Sequence, residues 1–244
     1  MVRTDRRQSD EQCGRGDAES AKHEESRMRS LIVGASGGIG AALLKACGDG
    51  SVGVSRRTDG LDVTDEASIA RTLGTLEPHF DRVIVATGAL EIGGIAPEKS
   101  LRAIDGSNLA RHFALNAMGP VLVLKHALRL LPRDRPAHFA ALSARVGSIG
   151  DNQLGGWFAY RAAKAALNQL LHTAAIEVAR THPQAVVVVL HPGTVETGLS
   201  GRFRGTRAAV TPQVAAENLL STLDRLAPSE SSGFFDATGA RIPW

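Results

Sequence analysis

Short apolar runs alternate along this chain with longer segments that read as helices. Leu31-Ile32-Val33, Ser51-Val52-Gly53-Val54-Ser55, Arg82-Val83-Ile84-Val85-Ala86 and Ala137 to Leu142 read as strands. Ala185-Val186-Val187-Val188-Val189-Leu190 is apolar throughout, as expected of a strand buried on both faces. Gly233 to Asp236 reads as a short last strand. Between these runs lie helices over Ala41 to Ala46, Asp65 to Leu76 (capped by Thr64), Ser107 to Leu131 (closed by Pro132), Phe158 to Arg180 and Pro212 to Leu226. Strand alternating with helix predicts an α/β fold: one doubly wound, Rossmann-like parallel sheet with helices on both faces. Ligands of such sheets bind outside the carboxyl ends of the strands. Gly34, Gly88, Ser143 and Gly193 each follow a strand, so they are expected to meet at that edge. No internal repeat is visible.

Residues 1–29 carry mixed charge and almost no large apolar side chains, which predicts a disordered extension before a folded domain over 30–244. Met28, just before the first strand, is an alternative start of translation. A length of 244 residues and an apolar fraction of 43% suit one α/β domain with a substantial core. No run reaches the length of a membrane span, and the charged opening lacks the pattern of a secretory signal. Cys13 and Cys47 form no metal-ligand pattern, so no metal and a reduced, cytoplasmic setting are expected. The net charge is only +3, its basic residues are scattered, and one Tyr with two Trp offers no stacking platform. These features argue against nucleic acid as a partner.

Gly34-Ala35-Ser36-Gly37-Gly38-Ile39-Gly40 stands between the first strand and the first helix. Strand, glycine-rich turn and helix in that order form the context of a dinucleotide fingerprint, here spaced Gly-x-x-x-Gly-x-Gly. Gly34 permits the turn, Gly38 lets backbone approach a pyrophosphate, and Gly40 lets helix pack on strand. Ser36, Gly37 and Ile39 complete the loop at a helix N-terminus suited to phosphate.

Tyr160, the one tyrosine of the chain, lies four residues before Lys164. That spacing puts both side chains on one helix face. A phenol titrates near pH ~10. A neighbouring ammonium favours phenolate and is expected to lower that value, giving a group that exchanges a proton with a carbonyl or alcohol oxygen.

The glycine loop, Asn116, Tyr160-x-x-x-Lys164 and Pro192-Gly193, in this order, resemble the short-chain dehydrogenases/reductases of the single-domain branch. Gly155-Gly156-Trp157-Phe158-Ala159-Tyr160-Arg161 and the tail Phe235-Asp236 to Trp244 resemble the C-factor and sniffer-type carbonyl reductases within that family. The resemblance implies an oxidoreductase that reduces a ketone or aldehyde by hydride transfer from NADPH. Tyr160 would be the acid, Lys164 would lower its pKa and hold the nicotinamide ribose, and Asn116 would hold a water leading from Lys164. Asp62 and Val63 would meet the adenine. Thr87 and Gly88 would line the cofactor crevice. Pro192, Gly193, Val195 and Thr197 would flank the nicotinamide. A homodimer or homotetramer is implied through the two long helices. A catalytically weak dinucleotide-binding regulator is the alternative.

NADP is expected over NAD, because the second strand ends in Ser55-Arg56-Arg57 with no acid to repel a 2′-phosphate. Arg56 is expected to make the closer contact. The chain departs from the family in three places. Val85-Ala86-Thr87-Gly88 replaces the usual Asn-Asn-Ala-Gly. Ser143-Ala144-Arg145-Val146-Gly147 replaces Ser-Ser-x-x-Gly, which leaves Ser143, or in second place Ser148, to orient the substrate oxygen. Ala163 precedes Lys164 where serine is common. Specificity is expected from Thr194 to Val210, where Arg202, Arg204 and Arg207 could favour an anionic substrate.

Overall fold

The structure, a computed structural model, describes residues 28–198 and 208–244. Residues 1–27 of the extension and the three arginines of the specificity loop lie outside those residues. Six parallel strands form one sheet: β1 (Ser30–Val33), β2 (Val52–Val54), β3 (Arg82–Val85), β4 (Ala137–Leu142), β5 (Ala185–His191) and β6 (Phe234–Asp236). They stand in the order β2-β1-β3-β4-β5-β6. The order reverses between β1 and β3, which is where a ligand crevice opens in such sheets.

Alternate residues of each strand enter opposite core layers, as the two-residue period of a strand requires. Leu31, Val33, Val83, Val85, Phe139, Val187 and Val189 pack on one face with α3 (Glu66–Gly74), α5 (Gly119–Ala127) and α6 (Phe158–Val178). Ile32, Ile84, Ala140, Val188 and Leu190 pack on the other with α1 (Gly38–Cys47) and α7 (Pro212–Arg225).

Three elements differ from the sequence reading. Helix α3 is capped by Asp65, whose carboxylate accepts from the Ala67 N–H; Thr64 instead donates to Asp62. A short helix, α2 (Arg56–Asp59), follows β2, with Ser55 accepting from the Thr58 N–H. The helix expected over Ser107 to Leu131 divides into α4 (Gly106–Phe113), a π-helical turn (Ala114–Met118), α5 and a 3-10 turn (Leu128–Leu130). Pro120 is the physical reason: it has no N–H to give to the Asn116 carbonyl four residues back. The Gly119 N–H bonds Ala114 O instead, five residues back, and the helix widens there.

Candidate active site

The glycine loop crosses the carboxyl end of β1 under tight backbone contact. A Cβ on Gly40 would lie 2.2 Å from Gly34 O, so only glycine lets α1 start there. Helix α1 has no side-chain cap at Gly37 and no acidic residue in its first turn. Its N-terminal N–H groups and positive dipole end therefore face the crevice without an internal anion.

The crevice has two adjoining parts. The outer part, about 630 Å³, is lined by Gly34, Ser36 and Gly37 of the loop, by Ser55, Arg56 and Arg57, by Leu61, Asp62 and Val63, and by the segment after β3 that includes Thr87 and Gly88. The inner part, about 340 Å³, shares Gly37, Thr87 and Gly88 and adds Gly38, Ile39, Ser143, Tyr160, Lys164, Pro192 and Thr197. Gly40, Asn116, Gly193 and Val195 do not line either part. Gly40 lies beneath the loop and Asn116 behind Gly88. Gly193 takes φ +80° in the turn after β5, and Val195 is buried at a bridge with Val210 that closes the base of the specificity loop.

In the outer part Arg57 donates to Ser36 O at 2.8 Å, which puts its guanidinium against the glycine loop. Arg56 stands near Asp62. The Asp62 carboxyl is held below its ordinary value chiefly by the Thr64 hydroxyl and N–H, and it thereby forms a turn of its own. Thr87 Oγ1 is buried with no hydrogen-bond partner among the described residues.

In the inner part Tyr160 and Lys164 project from one face of α6. The Lys164 Nζ lies 5.8 Å from the Tyr160 ring centroid and donates to Leu142 O at 2.8 Å. The expectation of a lowered phenol is corrected: burial pushes Tyr160 up to about 12 and pulls Lys164 down to about 7. A cation lowers a neighbouring acid only while it is charged, and here the loss of water opposes charge on both groups. The ligand-free site thus holds a phenol that stays protonated and a lysine that titrates near neutrality.

The Ser143 hydroxyl donates to Asn168 Oδ1 at 2.6 Å, and Asn168 Nδ2 donates to Gly147 O at 3.3 Å. Ser148 Oγ accepts from the Asp151 N–H and does not line the crevice. Asn116 Oδ1 accepts from the Ala89 N–H, and its Nδ2 lies within reach of both Ala89 O and His112 Nδ1.

Sequence reasoning missed four supporting residues. Asn168 follows Lys164 by four and Tyr160 by eight, so extending the Tyr–Lys spacing would have found it. Asn108 and His112 precede Asn116 by eight and four and are buried with it. Glu98, a buried carboxylate in a loop, gave no local signal. Its Oε2 accepts from the Ala159 N–H, its Oε1 from Asn108 Nδ2, and its carbonyl from the Trp157 N–H. It caps the helix that carries Tyr160, whose own N-cap residue, Trp157, gives the helix no side-chain cap. Burial raises the Glu98 carboxyl, but its N–H donors outweigh this and leave it below the ordinary value.

A nucleotide-sized crevice at the switch point of a parallel sheet, floored by an open helix N-terminus, defines a dinucleotide-binding α/β protein. The family model described as enoyl-(acyl carrier protein) reductase matches residues 48–225. The chain belongs to the short-chain dehydrogenase/reductase family, oxidoreductases acting on CH–OH and C=O groups. The 1-hydroxy-2-glutathionyl-2-methyl-3-butene dehydrogenase of Rhodococcus sp. (strain AD45) is 28% identical over 185 residues, 76% of this chain and 79% of that protein. The C-signal protein of Myxococcus xanthus is 34% identical over 146 residues, 59% of this chain and 84% of that protein. Among solved structures, the carbonyl reductase Sniffer of D. melanogaster superposes with a TM-score of 0.74 at 21% identity, covering 89% of this chain and 99% of that one. This last likeness concerns the fold.

Proposed function

We propose that the protein is an NADPH-dependent carbonyl reductase. The observation that carries the reading is that Tyr160 and Lys164 open into the same crevice as the uncapped start of α1. The residues present fit the dinucleotide: an open helix N-terminus for the pyrophosphate, the Arg56 and Arg57 guanidinium groups directly after Ser55 for a 2′-phosphate, and the orphaned Thr87 hydroxyl between the two parts. Bound there, the nicotinamide supplies the hydride. Gly34, Ser36, Gly37, Gly38 and Ile39 would hold the phosphates, with Arg56 and Arg57 at the adenosine end. Pro192 and Thr197 would flank the ring.

Tyr160 acts as the acid. A phenol held near 12 remains protonated at neutral pH and gives its proton to the oxygen of the reduced carbonyl. Lys164 would hold the nicotinamide ribose; the negative charge of a bound dinucleotide would favour its cation, and that cation would lower the phenol's pKa. Ser143 meets the substrate with lone pairs while its proton is held by Asn168. The exposed Met118, Leu170 and Ile176 on the π-helical turn and α6 suit a homo-oligomer, which light scattering would test. Mixing the protein with NADPH and a panel of ketones and aldehydes, and following nicotinamide absorbance, tests the function. Turnover that disappears in Tyr160→Phe, with NADPH still bound, supports it; binding without turnover on every substrate overturns it. That second outcome fits a dinucleotide-binding regulator, a reading favoured by the sequestered Ser143 proton.

A further inference from the structure

His112 is buried on α4 beneath the catalytic helix, and nothing so far gives it a role. Its neighbours fix its chemistry. A backbone N–H can only donate and a carbonyl can only accept. The Ala89 N–H, 3.0 Å away, therefore identifies the oxygen end of the Asn116 amide, and Ala89 O, also at 3.0 Å, identifies the NH2 end. The second hydrogen of that NH2 faces His112 Nδ1 at 3.1 Å. Nδ1 must then offer a lone pair, and the imidazole proton sits on Nε2.

The amide in turn shapes the site. A Cβ at Gly88 would lie 3.0 Å from Asn116 Oδ1 and 3.4 Å from Lys164 Nζ, so amide, backbone and ammonium share one tight volume. Putting a proton on Nδ1 would set N–H against NH2, break the clamp on Ala89 and disturb the seat of Lys164. We propose that His112 is a positioning residue that must be neutral, with its proton on Nε2, for Asn116 to hold Gly88 and Lys164 in working order. The charged and titratable groups around it are Glu98 from the loop before α4, Arg111 on α4, and Lys164 and Tyr160 on α6, whose phenol ring meets the imidazole edge-on at 6.1 Å. Burial foremost, then Arg111 and Lys164, disfavour the imidazolium; Glu98 favours it. The inference rests on the reading of Tyr160 and Lys164 as the acid–base pair, yet its first test does not.

That test is nitrogen-15 NMR of the full chain labelled at histidine, with His112→Ala to assign the signal. At pH 7.5 the His112 Nδ1 resonance should be that of an unprotonated nitrogen, and acidification should move it together with the Asn116 side-chain amide. A protonated Nδ1 at that pH overturns the proposal. The second test compares two variants by pH profile. His112→Leu removes the acceptor and should lower kcat about tenfold at every pH, the scale of a small misplacement of catalytic groups. NADPH affinity, read by fluorescence, should change less. His112→Gln keeps an acceptor that cannot titrate; it should recover most of that loss and move the acid limb of kcat down by at least one pH unit. An unmoved acid limb in His112→Gln overturns the proposal. If no substrate turns over at all, the functional reading fails, and the NMR result still decides the tautomer.

Discussion

Ser143 and Asn168 are joined by a 2.6 Å hydrogen bond in which the serine is the donor. The Asn168 amide is oriented by its second bond, to Gly147 O, so its oxygen end faces the serine. A hydroxyl has one proton. Committed to Asn168, it cannot polarise a carbonyl in the crevice, and the reaction loses a donor of the kind that stabilises developing negative charge. Replacing Asn168 by Leu removes the acceptor at similar volume and frees the Ser143 proton. Carbonyl reduction should then rise about tenfold, part of the ~10²–10³ that one such donor contributes. The double variant Asn168→Leu with Ser143→Ala should lose the gain. Stability should fall by about 1–3 kcal/mol, because Gly147 O loses its partner. Steady-state rates of the two variants, beside a urea melt, check all three outcomes.

Lys164 should make cofactor binding a proton-linked event. Burial leaves it near 7 in the free site, so above that pH it is mostly neutral. Phosphate and ribose oxygens favour its charged form, and binding should raise its pKa. At pH 8 the protein should therefore take up a fraction of a proton as NADPH binds, and NADPH affinity should weaken as pH rises through about 7. Calorimetry in two buffers of different ionisation enthalpy measures the uptake. Lys164→Met should abolish it; an uptake that persists in that variant would assign the proton elsewhere.

The strands were legible because a strand buried on both faces is mostly apolar: β4 was read with its bounds intact despite His138, and β5 missed one residue, His191. The glycine loop was legible because a Cβ at Gly40 would lie 2.2 Å from Gly34 O, which admits no other residue type there. The break in the helix through Asn116 was missed although Gly119-Pro120 marks it, since a residue without an N–H cannot continue a regular helix. The titration of Tyr160 and Lys164 was not legible at all. Spacing places the two groups together, but the depth of burial that decides which forces win comes from the whole fold. Glu98, Asn108 and Asn168 escaped for a related reason: each acts on a partner on another element, at sequence separations of 61, 10 and 25.

Two arginines, Arg56 and Arg57, line the outer crevice where the proposed reading puts the 2′-phosphate. Arg57 is held by Ser36 O, while Arg56 keeps its guanidinium beside the outer crevice near Asp62. Arg56→Ala should weaken NADPH binding roughly 10–100-fold, matching about 1.5–3 kcal/mol for a charge-assisted hydrogen bond, and should leave NADH binding within a few-fold. Parallel fluorescence titrations with the two cofactors measure the ratio. Equal losses for both would mean that the arginine shapes the pocket rather than reads the phosphate.

At the opposite edge of the sheet, Ser30, Arg82 and His138 stand side by side in register on three neighbouring strands, all buried. Arg82 pairs with Asp224 on α7, and the Ser30 hydroxyl, Arg82 Nε and His138 Nδ1 have no partner among the described residues. Burial, then the Arg82 charge, lowers the His138 pKa against the opposing pull of Asp224 and the Leu226 backbone. His112 and His182 are lowered as well, chiefly by burial. Between those folded-state values and the unfolded value near ~6.5, the unfolded chain binds more protons than the folded one, so stability rises with pH in that window. The histidine contribution is complete above about pH 6.5 and is lost as pH falls. Urea melts at pH 7.5 and 5.5 should show a clear loss at the lower pH. His138→Leu cannot titrate and should shrink that difference, even where it changes absolute stability. A difference as large in the variant as in the parent would remove His138 from the acid response.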